Sequence, residues 1–287
     1  MKLALGTVQF GLDYGVTNHD GKMTSNEASQ IIKAANINGI QLFDTADVYG
    51  DSEQVLGTLT KNIKPAKFIS KFSSDSSILI NIKQSLQNSL LNLQCNSLYG
   101  LLFHKETDLL GKQGELCYQQ LLALKEQGLI KKIGASFYSL TALEKALQHF
   151  KLDIIQIPAS CLDQRFQQSG LLKEAQRQNI EVHARSLFLQ GLLLNSSIEL
   201  PSSILKFTTQ IQAFINFAER HKLTPLQLAL TYLIQCNEID IGVVGCQNKQ
   251  QLIDIITAYQ YVNQRKTPIN LTELAVSHEQ LINPSLW

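Results

Sequence analysis

The stretch TSNEASQIIKAANINGIQLFD, residues 24–44, contains the unit from which the fold is read. Thr24 and Glu27 have the spacing of a capping box, in which two side chains satisfy free backbone N–H groups where a helix begins. Ile31, Ile32 and Ala35 then recur at helical spacing and mark one apolar face. Asn38-Gly39 ends the helix, since both residues tolerate the left-handed backbone that terminates helices. Gln41–Asp44 follows as a short apolar run between turn residues, the pattern of a buried strand.

The same alternation runs through the chain. Strands are predicted at Leu3–Thr7, Gln41–Asp44, Phe68–Lys71, Leu98–His104, Lys132–Ser136, Ile154–Ile157, Glu181–Arg185 and Ile241–Val244. Between them lie helical faces such as Ile82, Leu86, Leu90, Leu93 and Leu116, Leu121, Leu122, Leu124, the latter ended by Gln127-Gly128. Strands that alternate with helices form a parallel sheet, because parallel neighbours need crossover connections. Eight such units in 287 residues fit an α/β fold of the (β/α)8 TIM barrel type. An open doubly wound sheet with a nucleotide site is the alternative, but neither G-x-G-x-x-G nor G-x-x-x-x-G-K-[ST] is present. With no linker or low-complexity stretch, residues 1–287 read as one domain. Leu187–Ser203 is long for a strand-to-helix loop, and residues 262–287 form a C-terminal extension expected to lay a helix over the barrel.

Composition narrows the function classes. Hydrophobic residues make up 44% and charged residues 17%, which argues against disorder, and the formal net charge is +1. A balance so close to zero provides no net field for nucleic acid or an acidic membrane. Cys95, Cys117, Cys161, Cys236 and Cys246 are scattered with no C-x-x-C pair, which argues against disulfides and zinc and for a reducing compartment. Cys246 alone is expected to face a ligand. His149, His183 and His221 lack metal-ligand spacing, so no metal is expected. Gly6, Thr7 and Gln9 break up the apolar N-terminal run, leaving it too short for a signal-peptide core, and no run approaches membrane-spanning length. The expected location is cytoplasmic. Asn195-Ser196-Ser197 and Asn270-Leu271-Thr272 then match the glycosylation pattern by chance.

Barrel enzymes place catalytic residues at the C-terminal ends of strands. Asp44 ends the second strand, with Tyr49 just beyond, Lys71 ends the third and His104 the fourth. Adjacent strands lie about 5 Å apart, so these side chains can converge. A lysine ammonium favours the phenolate form of a nearby tyrosine, a carboxylate keeps the lysine charged and aimed, and a histidine can hydrogen-bond a substrate oxygen. Together they make a general acid suited to protonating a carbonyl oxygen. Singly, each has a structural explanation: a solvated strand end, a loop aromatic or a helix cap. Their joint occurrence at successive strand ends favours a site.

The run Leu42-Phe43-Asp44-Thr45-Ala46-Asp47-Val48-Tyr49-Gly50 resembles the aldo-keto reductase pattern. So do Leu5-Gly6-Thr7, Ser52-Glu53-Gln54-Val55-Leu56-Gly57, Ile69-Ser70-Lys71 and Leu101-Leu102-Phe103-His104, in order along nearly the whole chain. The resemblance implies a barrel oxidoreductase that reduces aldehydes and ketones with NADPH or NADH. In it Tyr49 donates the proton, Lys71 and Asp44 tune it, and His104 orients the carbonyl. Asp44 also counts with Gly6 and Thr7 among the cofactor-binding residues.

The resemblance extends to the cofactor side. Ile133-Gly134-Ala135-Ser136 and Ile155-Gln156-Ile157 place Ser136 and Gln156 at the nicotinamide carboxamide, but Phe137 stands where the family has Asn. Ala184-Arg185-Ser186 falls where many members have Tyr-Ser, the Tyr stacking on nicotinamide. A guanidinium can stack too, but it repels an oxidised ring or points to a phosphate. After the eighth strand, Gly245, Cys246, Gln247, Gln251 and Asp254 occupy the adenosine-phosphate region. There Gly245 and Gln251 replace a Lys and an Arg that hold a 2′-phosphate in NADP-binding members, which makes NADH an open option. The opening run Gly6–Gly15 and Arg185–Gly191 resemble bacterial members associated with sugar metabolism, so a small-molecule carbonyl, a sugar derivative among the options, is the expected partner. Leu187–Leu194 with Phe72, Phe137, Tyr138 and Phe188 is expected to form an apolar wall. A cofactor-binding regulatory subunit of the same fold with little turnover is the alternative function.

Overall fold

Eight parallel strands close on one another in sequence order, each pairing with the next and the eighth with the first. In this computed structural model they are β1 (Leu3–Gly6), β2 (Leu42–Asp44), β3 (Lys67–Phe72), β4 (Leu98–Phe103), β5 (Ile130–Ser136), β6 (Ile154–Pro158), β7 (Glu181–Arg185) and β8 (Ile241–Val244). The structure describes all residues except 17, 19, 20, 64, 74–80 and 195–201. The Asn195 sequon and most of the C-terminal half of the Leu187–Ser203 loop therefore lie outside the described residues. The expected (β/α)8 barrel of one domain is what the chain forms.

Helices return the chain between strands, and their starts follow the predicted chemistry. Thr24 accepts from the Glu27 N–H while Glu27 accepts from the Thr24 N–H, which completes the capping box of helix Ser25–Ile37. Thr224 and Gln227 repeat the device ahead of helix Pro225–Gln235, with proline at its first position. Asn81, Ser139 and Asn248 cap the helices that begin at Ile82, Leu140 and Lys249.

Strand alternation divides the core in two. Phe68 and Phe72 of β3 join Phe43, Leu101, Phe103 and the helix faces in the large outer core. Ile69, Leu102 and Ile154 form a separate small cluster, with Leu42 and Tyr99 packed against it, which is the plug inside the barrel. Lys71, two residues on from Ile69, shares that inner face and arrives at the mouth above the plug.

Several boundaries differ from expectation. β1 stops at Gly6, because the chain passes through Thr7 into a short helical turn, Val8–Gly11. His104 lies just past β4, although its N–H still donates to the Phe72 carbonyl at 2.9 Å. Leu116 is exposed rather than part of its helix's buried face. The last barrel helix runs Lys249–Asn263, so it overlaps the start of the presumed extension. Beyond it no long helix covers the barrel among the described residues; instead Thr272–Leu274, Glu279–Ile282 and Pro284–Leu286 form three short turns. Among the described residues, no helix is long and apolar enough to cross a membrane.

Candidate active site

A cavity of about 770 Å³ opens at the C-terminal ends of the strands. It is lined by Asp44, Tyr49, Lys71 and His104 together with Gly6, Thr7, Ser136, Gln156, Arg185 and Ser186. Gly245, Cys246, Gln247, Gln251 and Asp254, after β8, line the same cavity. The residues assigned in the sequence to catalysis and to the cofactor thus line one space.

At its base is a buried ion pair. Lys71 Nζ lies 2.5 Å from Asp44 Oδ1, with both side chains almost fully removed from solvent. The ammonium also donates to the Thr45 carbonyl at 3.1 Å, and Gln156 Nε2 donates to Asp44 Oδ2 at 2.8 Å. Both carboxylate oxygens of Asp44 are therefore engaged. Burial works against the charged lysine, but the Asp44 and Tyr49 oxygens outweigh it and leave the Lys71 pKa above its ordinary value.

Tyr49 and His104 stand over this pair. Lys71 Nζ is 5.4 Å from the Tyr49 ring centre, and the Tyr49 and His104 rings meet edge to face at 5.7 Å. Burial, reinforced by the Lys71 charge, pulls the His104 imidazole down to about 4, so it is neutral at neutral pH. Its Nδ1 is buried without a hydrogen-bond partner among the described residues.

The turn carrying Tyr49 is tied to the barrel by a buried polar network. Thr7 Oγ1 donates to the Asp44 carbonyl, and Ser52 Oγ donates to the Thr7 carbonyl at 2.8 Å. At the next residue, Ser70 Oγ donates to Glu53 Oε1 at 2.6 Å. These contacts account for Thr7 and for the Ser52-Glu53 pair within the family-like run.

The remaining lining corrects and extends the sequence reading. Phe72 and Phe137 are buried in the outer core and do not line the cavity; their backbone positions aim them at the helices. Tyr138, Leu187, Phe188 and Leu194 do line it. Cys246 lines it as well, and burial pushes its thiol up to about 12, so it carries no thiolate at neutral pH. Gln9, Tyr14 and Gln190, not singled out from the sequence, are also lining residues. Their one signal was position, since Gln9 and Tyr14 follow the first strand's C-terminal end. Gln9 packs over Gly245: a Cβ there would stand 2.6 Å from Gln9 Nε2, the end of a flexible side chain that would have to move aside. Gln9 Oε1 is itself buried without a partner among the described residues.

Among the described residues, no group of His, Cys, Asp and Glu is placed to hold a metal ion. Residues fitted to a nicotinamide are present. Ser136 Oγ, 3.5 Å from Gln156 Oε1, and the orphaned Gln9 Oε1 provide hydrogen-bonding groups of the kind a carboxamide needs. At the other end, Gln251 Oε1 accepts from the Gln247 N–H at 2.7 Å, and Asn248 caps the helix. Lys71 and Arg185 are the only cations among the described lining residues.

Fold and site together define a barrel oxidoreductase. The chain belongs to the aldo/keto reductase family, whose model matches residues 2–268. That family consists of NAD(P)H-dependent oxidoreductases, and this chain is an enzyme of that class. Among solved structures, the holo form of an aldo-keto reductase from Bacillus halodurans superposes with a TM-score of 0.76 at 18% identity, covering 96% of this chain and 92% of that one. The glycerol dehydrogenase from Gluconobacter oxydans gives 0.71 at 19% identity, covering 99% and 92%. At such identities the likeness carries the fold alone. No curated protein matches the chain.

Proposed function

We propose that this enzyme reduces an aldehyde or ketone to an alcohol, with Tyr49 as proton donor and NADH as the preferred reductant. The observation that carries the reading is Lys71: a lysine side chain 1% exposed, ion-paired to Asp44 beneath a tyrosine ring at a cavity floor. Burying such a pair is costly and adds little to stability, so its place is better explained by chemistry than by packing.

Tyr49 delivers its hydroxyl proton to the carbonyl oxygen. The Lys71 ammonium stabilises the phenolate left behind, an interaction that grows as the proton departs. Asp44 keeps Lys71 charged and directed, and Gln156 fixes the second oxygen of Asp44. The neutral His104 ring hydrogen-bonds the carbonyl oxygen and orients it toward Tyr49. Ser136, Gln156 and Gln9 hold the cofactor's carboxamide end, and Gly245 to Gln247 with Gln251 and Asp254 hold the other. When bound there, a reduced nicotinamide supplies the hydride that the carbonyl carbon accepts. The preference for NADH follows from Asp254, a carboxylate at an end where none of the described lining residues is an ammonium or guanidinium to meet a 2′-phosphate.

Fluorescence titration with NADH and NADPH in parallel, followed by a panel of aldehydes and ketones, tests the reading. NADH is expected to bind at least as tightly as NADPH and to be oxidised by one or more members of the panel. NADPH binding more than about tenfold tighter contradicts the cofactor assignment. Tight binding with no turnover across the panel contradicts catalysis and supports the regulatory-subunit alternative.

A further inference from the structure

We propose that Arg185 determines substrate specificity and that the carbonyl substrate carries an oxyanionic group, a carboxylate or a phosphate, bound by the Arg185 guanidinium. This rests on the carbonyl-reductase reading above and names the substrate class for it.

The argument starts from an unanswered charge. Arg185 ends β7 and lines the cavity. Its Nη2 is buried with no hydrogen-bond partner, and its side chain takes part in no ion pair among the described residues. None of the carboxylates around it forms an ion pair with it among the described residues. Asp44 is held by Lys71 and Gln156. Asp163, within electrostatic reach, has Arg165 Nε at 3.1 Å. Asp254 accepts from Gln250 on the last barrel helix. With Lys71 paired to Asp44, Arg185 is the cation lining the cavity that has no ion-pair partner among the described residues. A buried donor left without a partner costs free energy, so a ligand oxygen is the natural acceptor for this Nη2.

The guanidinium is also held in place. Its carbon sits 3.9 Å from the Tyr138 ring centre, a stacking distance that fixes the plane of the fork. Tyr138 is anchored in turn, because its N–H and that of Ser139 both donate to Glu106 Oε2, at 2.6 and 3.0 Å. Tyr14, which lines the same cavity, accepts from Gln190 Nε2 at 3.3 Å and keeps its own hydroxyl proton to donate. Arg185 and Tyr14 both lie within electrostatic range of the reacting groups, Arg185 of His104 and Tyr14 of Tyr49. The anion is therefore bound at the substrate end, with its carbonyl presented to Tyr49. A planar fork of N–H donors binds carboxylate or phosphate through two parallel hydrogen bonds, which an ammonium cannot copy.

The test compares wild type, Arg185→Leu and Arg185→Lys on two matched pairs: 4-carboxybenzaldehyde against its methyl ester, and glyceraldehyde 3-phosphate against glyceraldehyde. Calorimetric titration of benzoate and benzamide reads the anion site without turnover, and thermal melting confirms folding of each variant. Wild type is expected to favour the charged member of at least one pair by about tenfold or more in kcat/KM. In Arg185→Leu that ratio collapses toward one, mainly through a raised KM for the charged member, and benzoate binding is lost. Arg185→Lys recovers only part of both. Equal preference for charged and neutral members in wild type overturns the proposal. So does an Arg185→Leu that leaves the ratio intact, or one whose main effect is weaker NADH binding, which would assign the guanidinium to a cofactor phosphate. Benzoate binding that depends on Arg185 in a protein turning over no carbonyl would preserve the anion site and overturn the reductase reading alone.

Discussion

Lys71 shows most clearly how much one residue depends on its surroundings. Its ammonium is tolerated inside the barrel mouth because Asp44 and the Thr45 carbonyl replace water around it. Lys71→Met removes the cation and leaves Asp44 buried with only the Gln156 amide to satisfy it. Breaking one side of such a pair costs about 3–5 kcal/mol, and urea unfolding should place the variant within that range. At this scale the site was largely legible. Asp44, Tyr49, Lys71 and His104 stand at or just past strand ends, and the strands are readable from their apolar runs. Arg185 was visible as a residue out of pattern. What was hidden depended on contacts between distant segments: the Tyr138 stack, the link from Gln190 to Tyr14, and Gln9 seated on Gly245. Phe137 was misread because the residue after Ser136 faces the outer core, and sequence adjacency does not show facing at a strand's end.

At the scale of elements, the barrel is closed below the plug by a second polar cluster. Tyr99 of β4 donates to Glu181 of β7 at 2.8 Å, and Lys132 of β5 lies 2.6 Å from the same carboxylate. His183, fully buried on β7, is 3.4 Å away. Burial alone would raise the Glu181 pKa, but His183, Lys132 and Tyr99 together hold it down to about 2, from an ordinary value of 4.5. A carboxylate with a lowered folded-state pKa stabilises the fold above its unfolded value, and that stabilisation is lost as pH falls through the folded one. Stability should therefore fall between about pH 4.5 and 2, and Glu181→Gln should flatten that part of the curve while costing about 1–2 kcal/mol at neutral pH. Denaturant unfolding across that range checks both. Strand and helix positions were legible from capping boxes, apolar faces and Asn-Gly or Gln-Gly stops. Boundaries were less so, because Thr7 and His104 keep barrel hydrogen bonds while leaving strand geometry. The C-terminal segment has no periodic apolar face to distinguish short turns from a helix.

For the whole molecule, the low charge content and near-neutral balance have a local counterpart. Of the cations, Lys71 and Arg185 alone line the cavity among the described residues, one paired to Asp44 and the other in no ion pair there. That no cation lines the cavity beside Asp254 among the described residues underlies the proposed cofactor preference, and Arg185 underlies the proposed substrate class. The barrel supplies one rigid rim on which eight strand ends converge, so residues far apart in sequence meet around a single cavity. The central claim is that this rim reduces a carbonyl with Tyr49 as the acid. Tyr49→Phe keeps the ring that meets His104 and removes only the proton donor. The decisive measurement is kcat for an established carbonyl substrate in wild type and in Tyr49→Phe, with the NADH affinity of each measured alongside. The account predicts a loss of about 10²–10⁴-fold in kcat with cofactor affinity retained. Undiminished turnover in Tyr49→Phe would contradict it.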